Sequence, residues 1–191
     1  MKNTKKDRNI DFLFEASALK RLLRTGWQIL GTNRESVAEH SFMVCVISYV
    51  IAKEEKTDIT DTLLTALFHD FSEARTGDVF RLADLYTEAD EKKAEKEVFS
   101  AGKHEEIVIL LDKFRKNKTR EAEIVHDADT LALCIELKQS IEHGNINAQE
   151  WMDSNLKKLK LRSSQKLGKK LKTTNSQNWW KKEREKLHRL R

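Results

Sequence analysis

The sequence predicts an all-α protein, and two features of its composition carry this prediction. The 191 residues include no proline and only six glycines, so little in the chain interrupts a helix. Charged residues make up 35% of the chain, and leucine, alanine, lysine and glutamate are frequent, as is typical of helices with solvated faces. A chain of this length buries roughly 70% of its unfolded surface. We therefore expect a single helical domain over residues 1–191, with a core at about 20–145 and a helical extension at about 150–191.

Three helices are predicted in the first part of the chain. The first spans residues 12–23 and ends near Arg24, because its apolar residues recur at helical spacing. The second begins at Ser36, since "SVAE" is a capping box in which Ser36 and Glu39 satisfy each other's backbone amides. Its apolar run from Phe42 to Ala52 predicts a deeply buried helix. The third starts at Thr60 or Asp61, runs through "TLLTALFHD", and is followed by a loop.

The second part of the chain predicts further helices with distinct faces. Charged helices cover about 87–116, with a break near Gly102. A buried helix then follows, marked by apolar residues at Ile124, Val125, Leu131, Leu133 and Ile135, and Gly144 is its predicted stop. Two polar helices are expected at about 156–171 and 179–190.

The cysteines and the apolar segments bear on the compartment. Cys45 and Cys134 lie in separate apolar segments without a CxxC pattern, so we expect free thiols in a reducing cytoplasm. The charged N-terminal stretch "MKNTKKDRNI" lacks the apolar segment of a signal peptide, and "FMVCVISYVIA" is too short to span a bilayer. The sequence therefore predicts a cytoplasmic protein that does not associate with membranes.

Charge is divided unevenly along the chain. From Leu156 onward there are 14 lysines and arginines against two glutamates, a net charge of +12, so the first 155 residues carry −7 of the overall +5. A basic tail can contact nucleic acid. Its leucines recur near helical spacing, however, and this equally suits an amphipathic helix with a solvated lysine face. We favour the solvated face over a nucleic-acid partner.

Four residues are candidates for a metal site. His40 lies in the first turn after the capping box, where the helix dipole favours a neutral imidazole. His69 and Asp70 are consecutive, so their side chains diverge by about 100° on a helix and could share an ion only beside the helix end. Asp129 is an acid within the apolar "ADTLALCI", where an unpaired carboxylate would be costly. Two imidazoles and two carboxylates suit an octahedral divalent ion such as Mn, Fe, Co, Ni or Mg better than a closed zinc site.

The order of "ESVAEHS", "LFHDFSEARTGD" and "HDADTLAL" resembles the HD-domain metal-dependent phosphohydrolases, and within them the 5′-deoxynucleotidase group and its HD-domain-containing relatives. The resemblance extends from about residue 22 to 135. It implies an HD-domain helical bundle with a metal site between helices, and a homodimer. It also implies one divalent ion (Mn, Co, Fe, Ni, Mg or Zn) held by His40, His69, Asp70 and Asp129.

The same resemblance implies roles for four further residues. Glu73 and Asp78 would act as catalytic acid and base beside the water and the scissile phosphate. Arg24 would bind phosphate, and Trp27 would shape the nucleoside pocket. In the bacterial deoxynucleotidases the Arg and Trp are adjacent and a proline follows the "GD" segment. Here two residues intervene and the proline is absent, which bears on sugar and base preference. His126, Asp127 and Ser41 are additional, weaker candidates for the site.

The expected function is that of a hydrolase. We expect a metal-dependent phosphohydrolase that converts deoxyribonucleoside 5′-monophosphates to nucleoside and phosphate. One alternative is hydrolysis of a nucleoside triphosphate or an alarmone-type pyrophosphate on the same metal. The other is a non-catalytic HD protein that binds nucleotide or nucleic acid through the basic tail, and the presence of Glu73 and Asp78 speaks against it.

Overall fold

The computed structural model describes residues 8–31 and 34–189. The charged N-terminal stretch up to residue 7 and the predicted helix end at Leu190 lie outside these ranges. The helices of the described residues are α1 (Arg8–Ala18), α2 (Trp27–Leu30), α3 (Val37–Glu55), α4 (Ile59–Phe68), α5 (Glu73–Thr76), α6 (Glu91–Gly102), α7 (Glu105–Lys116), α8 (Arg120–Glu142), α9 (Ala148–Leu156), α10 (Arg162–Thr173) and α11 (Lys181–Arg189). No strand occurs in these ranges, so the predicted all-α class is confirmed.

The long helices α3 and α8 form the centre of the bundle. They pack against each other, α4 packs against both, and α9 and α10 pack against α8. The interface is apolar and includes Val44 and Ile51 of α3 with Ile124 and Val125 of α8, all fully buried. Each such side chain stabilises the fold by about 1.5–3 kcal/mol. This packing fixes the N-terminal end of α3 against the middle of α8.

Side-chain caps define where several helices begin. The predicted capping box is confirmed: Ser36 accepts from the amide of Glu39, and the Glu39 carboxylate accepts from the amide of Ser36. The predicted cap of the third helix is wrong by two or three residues. Asp58 caps α4, because its carboxylate accepts from the Asp61 amide. Caps of this kind are typically worth about 1 kcal/mol.

The first helix ends earlier than the sequence predicts. It stops at Ala18 instead of continuing to the neighbourhood of Arg24. The following residues instead run beside the segment that precedes α3: Leu23 and Ser36 form an isolated bridge, and the Arg24 amide donates to the Glu35 carbonyl at 2.9 Å. These long-range bonds replace helical ones, and they position Arg24 near the start of α3.

The expectation that α3 is deeply buried holds for only one of its faces. Val44 and Ile51 are fully buried, whereas Phe42 and Tyr49 are 65% and 47% exposed. An unbroken apolar run does not reveal which of its sides faces the core. The break near Gly102 and the stop near Gly144 are confirmed, while the helix predicted at 156–171 begins later, as α10 at Arg162, because α9 ends at Leu156.

Both cysteines are free thiols, as expected. No helix in the described part of the chain has the length and the apolar character needed to cross a membrane.

Candidate metal centre

The packing of α3 on α8 brings two of the predicted ligands together. His40 lies in the first turn of α3, is fully buried, and anchors its amide on the Ser36 carbonyl. Asp129 lies in the middle of α8 and is partly open to solvent. The His40 Nε2 and Asp129 Oδ1 atoms are 3.0 Å apart. Two residues that are 89 positions apart in the sequence are thus in contact in the structure.

The other two predicted ligands lie at the C-terminal end of α4. His69 is the residue that ends this helix, and its Nδ1 donates to the Ala66 carbonyl at 2.8 Å. That bond turns Nε2 toward the centre, where Asp70 Oδ2 lies 3.1 Å away. The same Oδ2 is 3.9 Å from His40 Nε2. The chain leaves the helix at this point, so two consecutive side chains can face one centre.

The four side chains fit a divalent cation. One ligand atom from each of His40, His69 and Asp129 lies within 4.8 Å of the others, and Asp70 lies beside them. His69 Nε2 is buried without a hydrogen-bond partner in the described residues, although a carboxylate oxygen is close. A buried nitrogen beside a carboxylate oxygen is well placed to bind a cation together with that oxygen. Imidazole nitrogens with carboxylate oxygens are donors that many divalent metals accept.

The pKa values at the centre reflect its mixture of charges. Burial alone would lower the pKa of His40, but the Asp129 carboxylate hydrogen-bonded to Nε2 and the nearby Glu35 carboxylate outweigh burial and raise the pKa to about 9. Burial would raise the pKa of Asp70, but His69, His40 and Arg24 lower it below its usual range. The carboxylates are therefore ionised and able to attract a cation.

Glu73 lies beside this centre at the start of α5. Burial, followed in size by the fields of Asp70 and Asp78, raises the pKa of Glu73 to about 10. Its Oε2 atom is buried and lacks a hydrogen-bond partner in the described ranges. A carboxyl group that keeps its proton at neutral pH suits proton transfer, and a bound cation would lower its pKa.

Arg24 and Asp78 flank the centre. Arg24 Nη1 is 3.5 Å from Asp70 Oδ2, and its side chain is 20% exposed. Burial would lower the pKa of Arg24, but Asp70 and its acidic neighbours raise it. Asp78 Oδ2 accepts hydrogen bonds from the backbone amide and the hydroxyl of Thr25. Asp78 thereby holds the loop that carries Arg24.

Trp27 lies in the core of the bundle, next to the segment that precedes α3. It is 3% exposed and packs in the core with Cys134, Leu137 and Met152. Its indole Nε1 donates to Glu35 Oε2 at 2.9 Å. Trp27 therefore anchors the core at this point, and its contact with a nucleoside stays a prediction.

Glu35 was not singled out by the sequence, yet it adjoins the centre. Its side chain is 5% exposed, and its Oε1 lies 3.7 Å from Nδ1 of His40. In the sequence it resembles any acid before a capped helix. The available signal was its place next to Ser36, five residues before a candidate ligand.

The three weaker candidates for the site, His126, Asp127 and Ser41, make contacts away from the metal centre. His126 stacks on Phe114 with ring centroids 4.0 Å apart. Asp127 accepts from the amides of Lys160 and Leu161, and so ties the start of α10 to α8. Ser41 donates to the Val37 carbonyl within its own helix. All three side chains serve the fold.

The fold and the site together define the class of protein. It is a helical bundle with a centre of histidine and aspartate side chains between α3, α4 and α8. The HD domain family matches residues 16–184, and the chain belongs to this family. HD domains are metal-dependent, and the cluster of His40, His69 and Asp129 is the candidate metal site of this one.

Solved structures of similar proteins agree with the fold. A conserved hypothetical protein from Pyrococcus furiosus is 30% identical, with a TM-score of 0.75 over 86% of this chain and 99% of that one. The PH0347 protein from Pyrococcus horikoshii OT3 is 31% identical, with a TM-score of 0.71 over 86% and 96%. A predicted metal-dependent phosphohydrolase from Magnetospirillum magnetotacticum MS-1 is 24% identical, with a TM-score of 0.61 over 87% and 88%. No match is found among curated proteins.

Proposed function

We propose that this protein is a metal-dependent phosphohydrolase that acts on nucleotide phosphomonoesters, with deoxyribonucleoside 5′-monophosphates as the favoured substrates. The observation that carries the proposal is the convergence of His40, His69, Asp70 and Asp129 at one centre, with Arg24 and Glu73 beside it. Similarity to the Magnetospirillum protein, named as a predicted metal-dependent phosphohydrolase, adds support.

The two imidazoles and two carboxylates would hold one divalent ion. Mixed nitrogen and oxygen donors favour Mn, Co, Fe, Ni or Mg over Zn in a closed structural site. When bound, such an ion polarises a phosphoryl oxygen and lowers the pKa of water. His69 is already oriented for this task by its bond to the Ala66 carbonyl.

The remaining residues would bind substrate and move protons. Arg24 has a partly exposed guanidinium beside the centre and can bind a phosphate group through two parallel N–H bonds. Glu73 holds a proton at a buried carboxyl group and can exchange it with water or the leaving oxygen. For Asp78, the bonds to Thr25 favour a role in holding the Arg24 loop.

Phosphate release from a panel of deoxyribonucleoside and ribonucleoside monophosphates tests this function. The protein is first stripped with a chelator and then assayed with and without Mn, Co or Mg, with Asp70→Ala as control. We expect metal-dependent release that favours the deoxy substrates and is abolished in Asp70→Ala. Release of pyrophosphate or triphosphate from other nucleotides would assign the site to the alternative substrates. An Asp70→Ala protein with full metal-dependent activity would refute the mechanism.

We also propose that a second copy of the chain is the partner of this protein. An exposed apolar stripe on α3 supports this proposal. It consists of Phe42, Val46, Tyr49 and Val50, which recur at intervals of one helical turn and are 43–65% exposed. A homodimer that buries this stripe would remove apolar surface from water at about 25 cal/mol per Å².

A further inference from the structure

We propose that Glu35 is a positioning residue for the metal centre, and that it acts by holding the imidazole of His40 through Nδ1. This inference rests on the proposed metal site. It adds a residue outside the predicted ligand set, and it gives Trp27 a role that differs from contact with substrate.

Glu35 lies between a buried imidazole and a buried indole. Its Oε1 faces His40 Nδ1 at 3.7 Å, an ion-pair separation, and its Oε2 accepts from Trp27 Nε1 at 2.9 Å. The Nδ1 atom has no hydrogen-bond partner in the described part of the chain, and His40 is fully buried. The Glu35 carboxylate is therefore the acidic group that faces the N–H of Nδ1.

Several bonds fix this arrangement. Trp27 is 3% exposed and packs against α8 and α9 through Cys134 and Met152, so the indole N–H has little freedom. The backbone carbonyl of Glu35 accepts from the Arg24 amide at 2.9 Å. The adjoining Ser36 carbonyl accepts from the His40 amide at 3.0 Å. Ring and carboxylate are thus held by the same short segment.

A carboxylate at Nδ1 of His40 affects how well the imidazole binds a metal. When Nδ1 keeps the proton, the lone pair is on Nε2, which is the nitrogen that faces Asp129 and Asp70. A carboxylate that attracts this N–H also makes Nε2 a better electron-pair donor to a metal, and loss of such a group typically costs 10–100-fold in metal affinity.

A role for Glu35 in the fold alone does not account for its buried carboxylate. An acceptor for the Trp27 indole alone could be a neutral amide, and burying a carboxylate at 5% exposure is costly without a second polar partner. His40 supplies that partner, because its Nδ1 faces Oε1 of Glu35.

Cobalt binding to the full chain tests the inference with a readout other than activity. Co(II) is titrated into metal-free wild type, Glu35→Gln and Glu39→Gln, with the absorption spectrum and chelator competition giving site geometry and affinity. Glu35→Gln keeps an acceptor for Trp27 but lacks the negative charge. Glu39→Gln is the matched control, because it alters the capping box of the same helix end without facing the His40 ring.

We expect Glu35→Gln to weaken Co(II) affinity about 10–100-fold and to shift the absorption bands, while Glu39→Gln binds as wild type does. Equal affinities in wild type and Glu35→Gln, or equal losses in both variants, would overturn the inference while leaving the proposed function intact. A wild type that binds no Co(II) would overturn both.

Histidine NMR of the Zn-loaded wild type gives a second test that does not depend on a variant that folds. With ¹⁵N-labelled histidine, we expect His40 to carry its proton on Nδ1 and to bind metal through Nε2. Metal bound at Nδ1 of His40 would overturn the inference.

Discussion

The carboxylate of Asp78 accepts hydrogen bonds from both the amide and the hydroxyl of Thr25, the residue that follows Arg24 in the chain. The Thr25 hydroxyl also lies 2.9 Å from the Asp78 carbonyl oxygen. Two segments 53 residues apart are thus joined directly beside the candidate metal centre. Because Arg24 Nη1 lies 3.5 Å from Asp70 Oδ2, this junction positions the guanidinium that is proposed to bind phosphate.

Substitutions of Asp78 distinguish positioning from proton transfer. Asp78→Asn keeps an oxygen that can accept from Thr25, so we expect kcat/KM to stay within about tenfold of wild type. Asp78→Ala removes the acceptor and should lower kcat/KM about 100-fold, since small displacements of binding groups are that costly. Steady-state kinetics on the preferred monophosphate measures both.

Thr25→Val is the matched control for this pair, because it removes the hydroxyl donor and leaves Asp78 in place. It should raise KM more than it lowers kcat. If Asp78→Asn is as inactive as Asp78→Ala, then Asp78 transfers protons itself, as the resemblance implied.

Glu73→Gln should lower kcat by about 10²–10⁴, the usual contribution of a positioned acid or base. Glutamine has nearly the same shape but cannot exchange the proton that burial and two neighbouring carboxylates stabilise on Glu73. The measurement is single-turnover phosphate release at saturating metal. Glu91→Gln is the control, because Glu91 is another partly buried carboxylate whose pKa is raised, chiefly by burial and then by the field of Glu95. Full activity in Glu73→Gln would exclude Glu73 as the proton carrier.

The metal-free protein should lose stability as the pH rises from 6.5 to about 9. In this window the folded protein keeps a proton on His40, whose pKa rises from 6.5 to about 9, and on Glu73, whose pKa rises from 4.5 to about 10. The unfolded chain has released both, so it binds fewer protons and folding becomes less favourable with increasing pH. Thermal unfolding in chelator measures this, since each kcal/mol lost lowers the Tm of a chain this size by roughly 2–4 °C.

Two comparisons test whether His40 and Glu73 cause this loss of stability with rising pH. Glu73→Gln should make the dependence of Tm on pH shallower, because one of the groups that titrate in this window is gone. Added Mn should raise the Tm more at pH 9 than at pH 6.5, because metal binding requires a neutral His40. A Tm that is independent of pH between 6.5 and 9 in the metal-free wild type would contradict the proton assignments.

The capping box and the centre differ in how far the sequence predicted them. Ser36 and Glu39 lie three residues apart, and local bonds decide that helix start, so pattern alone predicted it. His40 and Asp129 lie 89 positions apart, and no local rule specifies that α3 and α8 bring them within 3.0 Å. The resemblance supplied that expectation, and the structure agrees with it.

The contact between Glu35 and Trp27 was predicted neither by the local sequence patterns nor by the family resemblance. Their contact depends on residues 19–26 leaving the helical path and running beside the segment before α3, as the Leu23–Ser36 bridge records. Helical periodicity continued the first helix through these residues instead. Because the chain turns back here, the Trp27 indole lies in the core and the Glu35 carboxylate lies next to it. Tertiary hydrogen bonds therefore override local propensity at this site.

Val46→Glu should shift the protein from dimer to monomer. Val46 is at the centre of the α3 stripe formed with Phe42, Tyr49 and Val50, and a charge there would have to be buried in the proposed interface. Size-exclusion chromatography with light scattering at several concentrations measures the mass. Ile109→Glu is the control, because Ile109 is also exposed, at 58%, but lies on α7. The proposal predicts a dimer for wild type and Ile109→Glu and a folded monomer for Val46→Glu. A monomeric wild type, or equal dissociation of both variants, would show that the stripe is not the interface.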